Sequence, residues 1–280
     1  MMAYRTVTTV MTDTKASTDA FNTAQRIAAT CGAHLDVLCL GLDRTQPGFY
    51  YAGASAVVMQ DGFDQAREDA LALEDAARAA LKGATFNWSA TGLTAQMVAV
   101  TQLISQRTRF SDLVVLPKPY AKGRGQDIEA IAEAAMFESD VPVLIQPDGL
   151  DFPEKTDRIL IGWNESREAL RAVKAALPFL KAASTVNIAI IDPPKHGPER
   201  SDPGGQLSQF LTRHGVKAEL SVLSKTMPRV ADVLARHAGD IDADMIVMGA
   251  YSHSRFRESI LGGATRNMLE QTEHPLLLAH

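Results

Sequence analysis

Ile241-Asp242-Ala243-Asp244-Met245-Ile246-Val247-Met248 restates, in kind and order, an earlier stretch, Arg109-Phe110-Ser111-Asp112-Leu113-Val114-Val115-Leu116. Each is a short polar approach, an aspartate, and then an unbroken apolar run. An apolar run too short for a helix, without polar alternation, is the pattern of a strand covered on both faces, as in a parallel sheet. A second pair comes after it in the same order: Ser139-Asp140-Val141-Pro142-Val143-Leu144-Ile145 and Thr272-Glu273-His274-Pro275-Leu276-Leu277-Leu278. Matched runs in matched order indicate a duplicated unit, and a chain of 280 residues has room for two domains of ordinary size.

Outward from these anchors, short β-branched or apolar runs alternate with longer Ala-rich segments of helical period. This is the α/β pattern that builds parallel sheets through crossover helices. Strands are expected at 4–10, 34–40, 85–90, 112–116 and 141–146 in the first half, and at 158–163, 185–191, 217–223, 244–248 and 275–279 in the second. Helices are expected between them, including 63–81, 127–138, 167–180 and 262–271. Pro147, Asp148, Gly149 and Pro153 interrupt both periodicities and place the domain boundary there, giving domains 1–150 and 151–280. Long loops at 41–62 and 192–205 occupy the same place in the two halves.

Hydrophobic residues form 46% of the chain and charged residues 22%, the balance of a globular protein. A net charge of -5 speaks against a general nucleic-acid or membrane-surface binder, so an anionic ligand needs a local site. No secretory leader or long apolar span is read, and a cytoplasmic location is expected. Cys31 and Cys39 fit small buried side chains. The seven histidines show no metal-ligand spacing. There is no P-loop, strand-one dinucleotide fingerprint or nucleophile elbow.

In open parallel sheets ligands bind past the carboxyl ends of strands, where the winding direction reverses. In the second half the fourth strand runs into a loop with Gly249 at its start and Gly262-Gly263 at its end, just before a helix. Glycines there let backbone amides approach a phosphate, and the helix start adds a favourable dipole. His253, Arg255, Arg257 and Arg266 are the nearby cations.

This loop resembles that of the universal stress protein family, which carries a glycine, two residues, a glycine, nine residues, then glycine and a hydroxyl residue. Gly249 and Gly262 match the first and third glycines, and the His253-Ser254-Arg255 and Leu261 to Arg266 flanks are similar. Ser252 stands in place of the second glycine and Gly263 in place of the hydroxyl residue, with Thr265 a little further along. The family's acidic contact at the end of strand one corresponds to Asn164, an amide with similar geometry and no charge.

The resemblance implies a nucleotide site made of Gly162, Trp163, Asn164, Ile191, Met248, Gly249, Ser252, His253, Arg255, Gly262, Gly263, Ala264 and Thr265. It implies ATP or AMP as ligand, with magnesium as a companion ion, and equally allows a site that holds none. In the first half Asp13 matches the acidic position, but Pro117-Lys118-Pro119-Tyr120 replaces the glycine loop and Gly123 and Gly125 lack the spacing. The phosphate cradle is expected to be lost there. The implied fold is two tandem flavodoxin-like (adenine nucleotide alpha hydrolase-like) domains, each a five-stranded parallel sheet in the order 3-2-1-4-5. The last strands of the two halves are expected to pair antiparallel, making an intramolecular pseudo-dimer and leaving a homodimer open. The implied function is a stress-response regulator that senses an adenine nucleotide. The alternatives are a nucleotide-independent scaffold working through protein contacts and a slow nucleotide hydrolase.

Overall fold

The computed structural model describes residues 4–15, 17–45, 55–120, 124–193, 202–250 and 263–280. They form two compact units, Tyr4–Val141 and Pro142–His280. The first contains β1 (Thr6–Met11), α1 (Thr18–Cys31), β2 (His34–Asp43), α2 (Ser55–Ala80), β3 (Trp88–Gln96), α3 (Val100–Thr108), β4 (Leu113–Pro117) and α4 (Gln126–Glu133). Its strands are all parallel, in the order β3-β2-β1-β4.

The second unit contains β5 (Val143–Gln146), β6 (Arg158–Gly162), α5 (Arg167–Ala175), α6 (Leu177–Ala182), β7 (Thr185–Ile191), α7 (Gly205–Arg213) and β8 (Ala218–Leu223). It ends with α8 (Val230–Asp240), β9 (Met245–Gly249), α9 (Gly263–Gln271) and β10 (Leu276–Ala279). The order is β5-β10-β9-β6-β7-β8, parallel throughout except that β5 runs antiparallel to β10. That pairing, Leu276 with Ile145 and Leu278 with Val143, is the one expected between the last strands of the two halves. It draws β5 into the second unit, so the units divide before the Pro147 to Lys155 linker.

The central strands are buried on both faces because helices cover each side: Val114, Val115, Ile159, Leu160, Ile246 and Val247 are all inaccessible. The aspartates of the repeated motif do the same work twice. One oxygen of Asp112 accepts from the Arg5 and Thr6 amides at 2.6 and 2.9 Å, and one of Asp244 accepts from Asp157 and Arg158 at 2.7 and 2.8 Å. Each ties the start of its unit's central strand to the approach of the strand beside it, where otherwise those amides would be unpaired.

Several boundaries differ from the sequence-based expectation. The third strand spans Trp88–Gln96, not 85–90, because Gly92 does not end it: the carboxylate of Glu74 on α2 accepts from the Gly92 N–H at 2.6 Å. The loop expected at 41–62 contains the start of α2, which runs straight through Gly62. Gly62 is needed there because a Cβ would meet the Thr45 hydroxyl and lie 2.8 Å from the Asp43 carboxylate. The single helix expected at 167–180 is two, broken at Ala176, with Pro178 in the first turn of α6, where its missing N–H is tolerated.

Candidate functional site

The second unit's winding reverses at β6, which pairs with β7 on one side and β9 on the other. Their carboxyl ends therefore bring Gly162, Ile191, Met248 and Gly249 to one edge of the sheet. Gly162 lies in register with both Ala189 and Met248, and the Trp163 N–H donates to the Ala189 carbonyl at 2.9 Å. A Cβ on Gly162 would be 3.1 Å from Leu234 of α8, so this strand end is tight against that helix.

Beyond Trp163 the chain makes a sharp turn. The Asn164 side-chain oxygen accepts from the Ser166 N–H at 3.2 Å, Glu165 takes a positive φ of 61°, and the Ser166 hydroxyl caps α5 by accepting from the Ala169 N–H at 3.1 Å. The Asn164 oxygen thus organises the turn, while its amide NH2, on an exposed residue, remains available as a donor.

Gly249 packs directly on that capped turn. A Cβ there would lie 2.5 Å from the Ala169 nitrogen and 2.8 Å from the Glu168 carbonyl carbon. The strand-exit glycine, expected to serve a phosphate, has a packing duty against the first turn of α5. Ala250 is fully buried, and its carbonyl lies 3.0 Å from the His280 ring nitrogen Nδ1.

Ser252, His253, Arg255, Gly262 and also Arg257 lie outside the described residues. Gly263, Ala264 and Thr265 form the first turn of α9. That turn carries no acidic residue, Gly263 is exposed, and among the described residues a Cβ on it would meet nothing closer than the Asn267 amide at 4.0 Å. Thr265 is buried, and the Arg266 Nε donates to Glu270 at 2.8 Å, which directs that guanidinium along the helix.

The first unit contrasts at the corresponding helix start. The first turn of α4 carries Asp127 and Glu129. Asp127 folds back over Gly125, and its Oδ2 is paired with the Arg44 guanidinium at 3.1 Å. The positive end of α4 is therefore already offset by a buried carboxylate of the same helix. The Tyr120 hydroxyl, from the proline-rich segment that replaces the glycine loop, donates to Glu129 at 2.9 Å. Asp13 is exposed and accepts from the Lys15 N–H at 2.7 Å.

A cavity of about 490 Å³ opens here, lined by Asp43, Arg44, Gln96, Val98 and Asp127 among others. Asp43 accepts from the Thr45 N–H and from Gln96, and the Thr45 side chain holds its carboxyl below the usual carboxylate range. Sequence reasoning missed this group. Its signal was a glycine with an aspartate two residues later at a helix start, a common N-terminal pattern without a ligand. Among the described residues, no group of three His, Cys, Asp or Glu side chains is placed to hold a metal ion. No described helix is long and apolar enough to cross a membrane.

The second unit is thus a doubly wound, mostly parallel α/β domain with a helix start free of acidic residues in its first turn on the carboxyl side of its sheet. Residues 155–280 match the model of the Universal stress protein family. The second half of the chain is similar to a domain of that family, and the first half repeats its strand order. The chain is 26% identical over 173 residues to Universal stress protein Slr1230 from Synechocystis sp.. That match covers 59% of this chain and 57% of the relative's length. Along 98% of its length the fold is similar to the crystal structure of a universal stress protein from Archaeoglobus fulgidus DSM 4304, with a TM-score of 0.75, 15% identity and 95% of that chain covered. A putative universal stress protein from Pseudomonas aeruginosa UCBPP-PA14 is similar over 99% of this chain and 93% of its own, with a TM-score of 0.62 and 16% identity.

Proposed function

We propose that the second unit binds an adenine nucleotide, ATP or AMP, at the carboxyl edge of its sheet, and that the chain is a cytoplasmic stress-response regulator switched by that ligand. The observation that carries this reading is the difference between two equivalent helix starts. The first turn of α4 carries its own Asp127 and Glu129, whereas the first turn of α9 begins at Gly263 and carries no acidic residue. A helix N-terminus without carboxylates of its own attracts phosphate through its backbone amides and dipole. The Asn164 amide at the end of β6 supplies a hydrogen-bond donor for the nucleoside part. With no metal cluster among the described residues, magnesium enters only as the companion of the nucleotide's own phosphates.

The test is thermal unfolding with and without magnesium ATP or AMP, for the parent and for Gly263→Glu. Among the described residues the nearest atom to a Cβ there is the Asn267 amide at 4.0 Å, and a carboxylate suits the helix dipole, so the unliganded variant is expected to keep the parent's midpoint while repelling phosphate. Ligand at about 100 times its dissociation constant stabilises the parent by about 2.7 kcal/mol, a rise of several degrees, and the variant by much less. An unshifted parent, shown to be free of carried-over ligand, would overturn the proposal in favour of a nucleotide-independent scaffold.

A further inference from the structure

The strand orders of the two units end differently. β3 is the outer strand of the first unit and β8 of the second, and alternate residues of such an edge point their N–H and C=O groups away from the sheet. On β3, Leu35 donates to Asn87, so odd-numbered residues face β2 and the even-numbered ones face outward. Two of those outward groups, at the middle of the strand, are covered from α2: Glu74 takes the Gly92 N–H, and the Arg78 guanidinium donates to the Ala90 carbonyl at 2.9 Å and to Glu74.

On β8 the parity is the same. Val186 donates to Lys217 and Asp192 to Leu223, so Ala218, Leu220 and Val222 face outward. No hydrogen bond is described on their outward backbone groups. The helix before this strand, α7, has 9 residues where α2 has 26. A groove between α7 and β8 is lined by Ser208, Thr212 and Leu220. Leu220 and Val222, two apart and so on one face, are 43% and 55% exposed. This is an unguarded edge with an apolar side.

We infer that β8 is a pairing edge for a second copy of this chain, through antiparallel β8–β8 addition about a two-fold axis at Val222. An isologous contact requires the strand to complement itself, and this register does so. Val222 meets its counterpart, and Leu220 lies diagonal to the other copy's Val222, making one apolar row. On the opposite face Glu219 comes opposite Lys225, twice by symmetry. Lys225 keeps the strand's alternation, because its N–H points back to the Asp192 carboxylate at 3.1 Å. Outward N–H and C=O groups of Leu220 and Val222 are then paired between copies, with Ser224 opposite Leu220, and the Ser224 carbonyl, which accepts from the Thr226 N–H at 2.8 Å within the chain, takes a second donor.

The experiment is sedimentation equilibrium on the full chain over a concentration series, with circular dichroism to report folding. The parent is expected to dimerise reversibly. Val222→Lys leaves the fold intact, since the side chain is exposed, and weakens the dimer at least about tenfold by placing like charges across the axis. Glu219→Lys is expected to weaken it as well, and Glu219→Lys with Lys225→Glu to restore it. This charge reversal keeps the proposal testable if Val222→Lys fails to fold. A parent that stays monomeric, a dimer indifferent to both single variants, or an unrescued charge reversal would each overturn it.

Discussion

Replacing Gly249 by valine is expected to weaken the fold before it weakens any affinity. Its Cβ position is taken by the Glu168–Ala169 backbone, so the unliganded variant should lose about 1–3 kcal/mol, measurable as a lower urea midpoint without nucleotide. The sequence pattern placed Gly249 correctly at the strand exit, but a glycine demanded by a neighbouring helix looks the same as one demanded by a phosphate. Only three-dimensional packing separates them. His274 carries a second residue-scale prediction. Burial holds its imidazole below the ordinary value of 6.5, although Glu273 and Asp244 pull the other way. The folded unit then favours the neutral ring and the unfolded chain binds the extra proton. Stability is fully present above about pH 7 and declines as pH falls through the ordinary histidine range towards the depressed folded value. His274→Gln should flatten that slope in unfolding midpoints measured between about pH 5 and 8.

At the scale of elements, the apolar runs after Asp112 and Asp244 became β4 and β9, since fully buried strands announce themselves by unbroken hydrophobicity. What the pattern concealed was carried by side chains from elsewhere. Gly92 resembled a terminator until Glu74, 18 residues earlier, supplied its hydrogen bond. Glu74→Ala should leave that N–H unpaired and destabilise the chain by about 1–3 kcal/mol in urea unfolding. The turn after β6 was legible as a helix start. Ser166→Ala, which removes the cap of α5, should lower stability by about 1 kcal/mol. The candidate site was half legible in the same way. Gly263 and Thr265 fell where expected, on the first turn of α9, whereas the filled start of α4 depended on Arg44, far away in sequence.

At the scale of the whole molecule, nucleotide should slow hydrogen exchange in the second unit, around β9 and α9, and leave the first unit unchanged. Equal protection in both units would contradict the asymmetry between α4 and α9. The alternation of strand and helix over the full length was enough to foresee a duplicated parallel fold, because crossover topology is written in periodicity. Where one unit ends was less legible, because β5 precedes the linker yet packs with strands on the far side of it. The family match starts at residue 155 and so leaves out a strand that this unit contains. A fragment begun at residue 151 should expose the β10 edge, whose Leu276, Leu277 and Leu278 are wholly buried, and should precipitate under conditions where the full chain stays in solution.

The antiparallel β5–β10 ladder also has a meaning for dilution. Two strands on separate molecules find each other in proportion to how many molecules are present, but strands on one chain meet at an effective concentration of the order of millimolar. By carrying β5 on the same polypeptide as β10, the duplicated chain can keep this edge closed at the scarcest expression level, in a cell holding only a few copies.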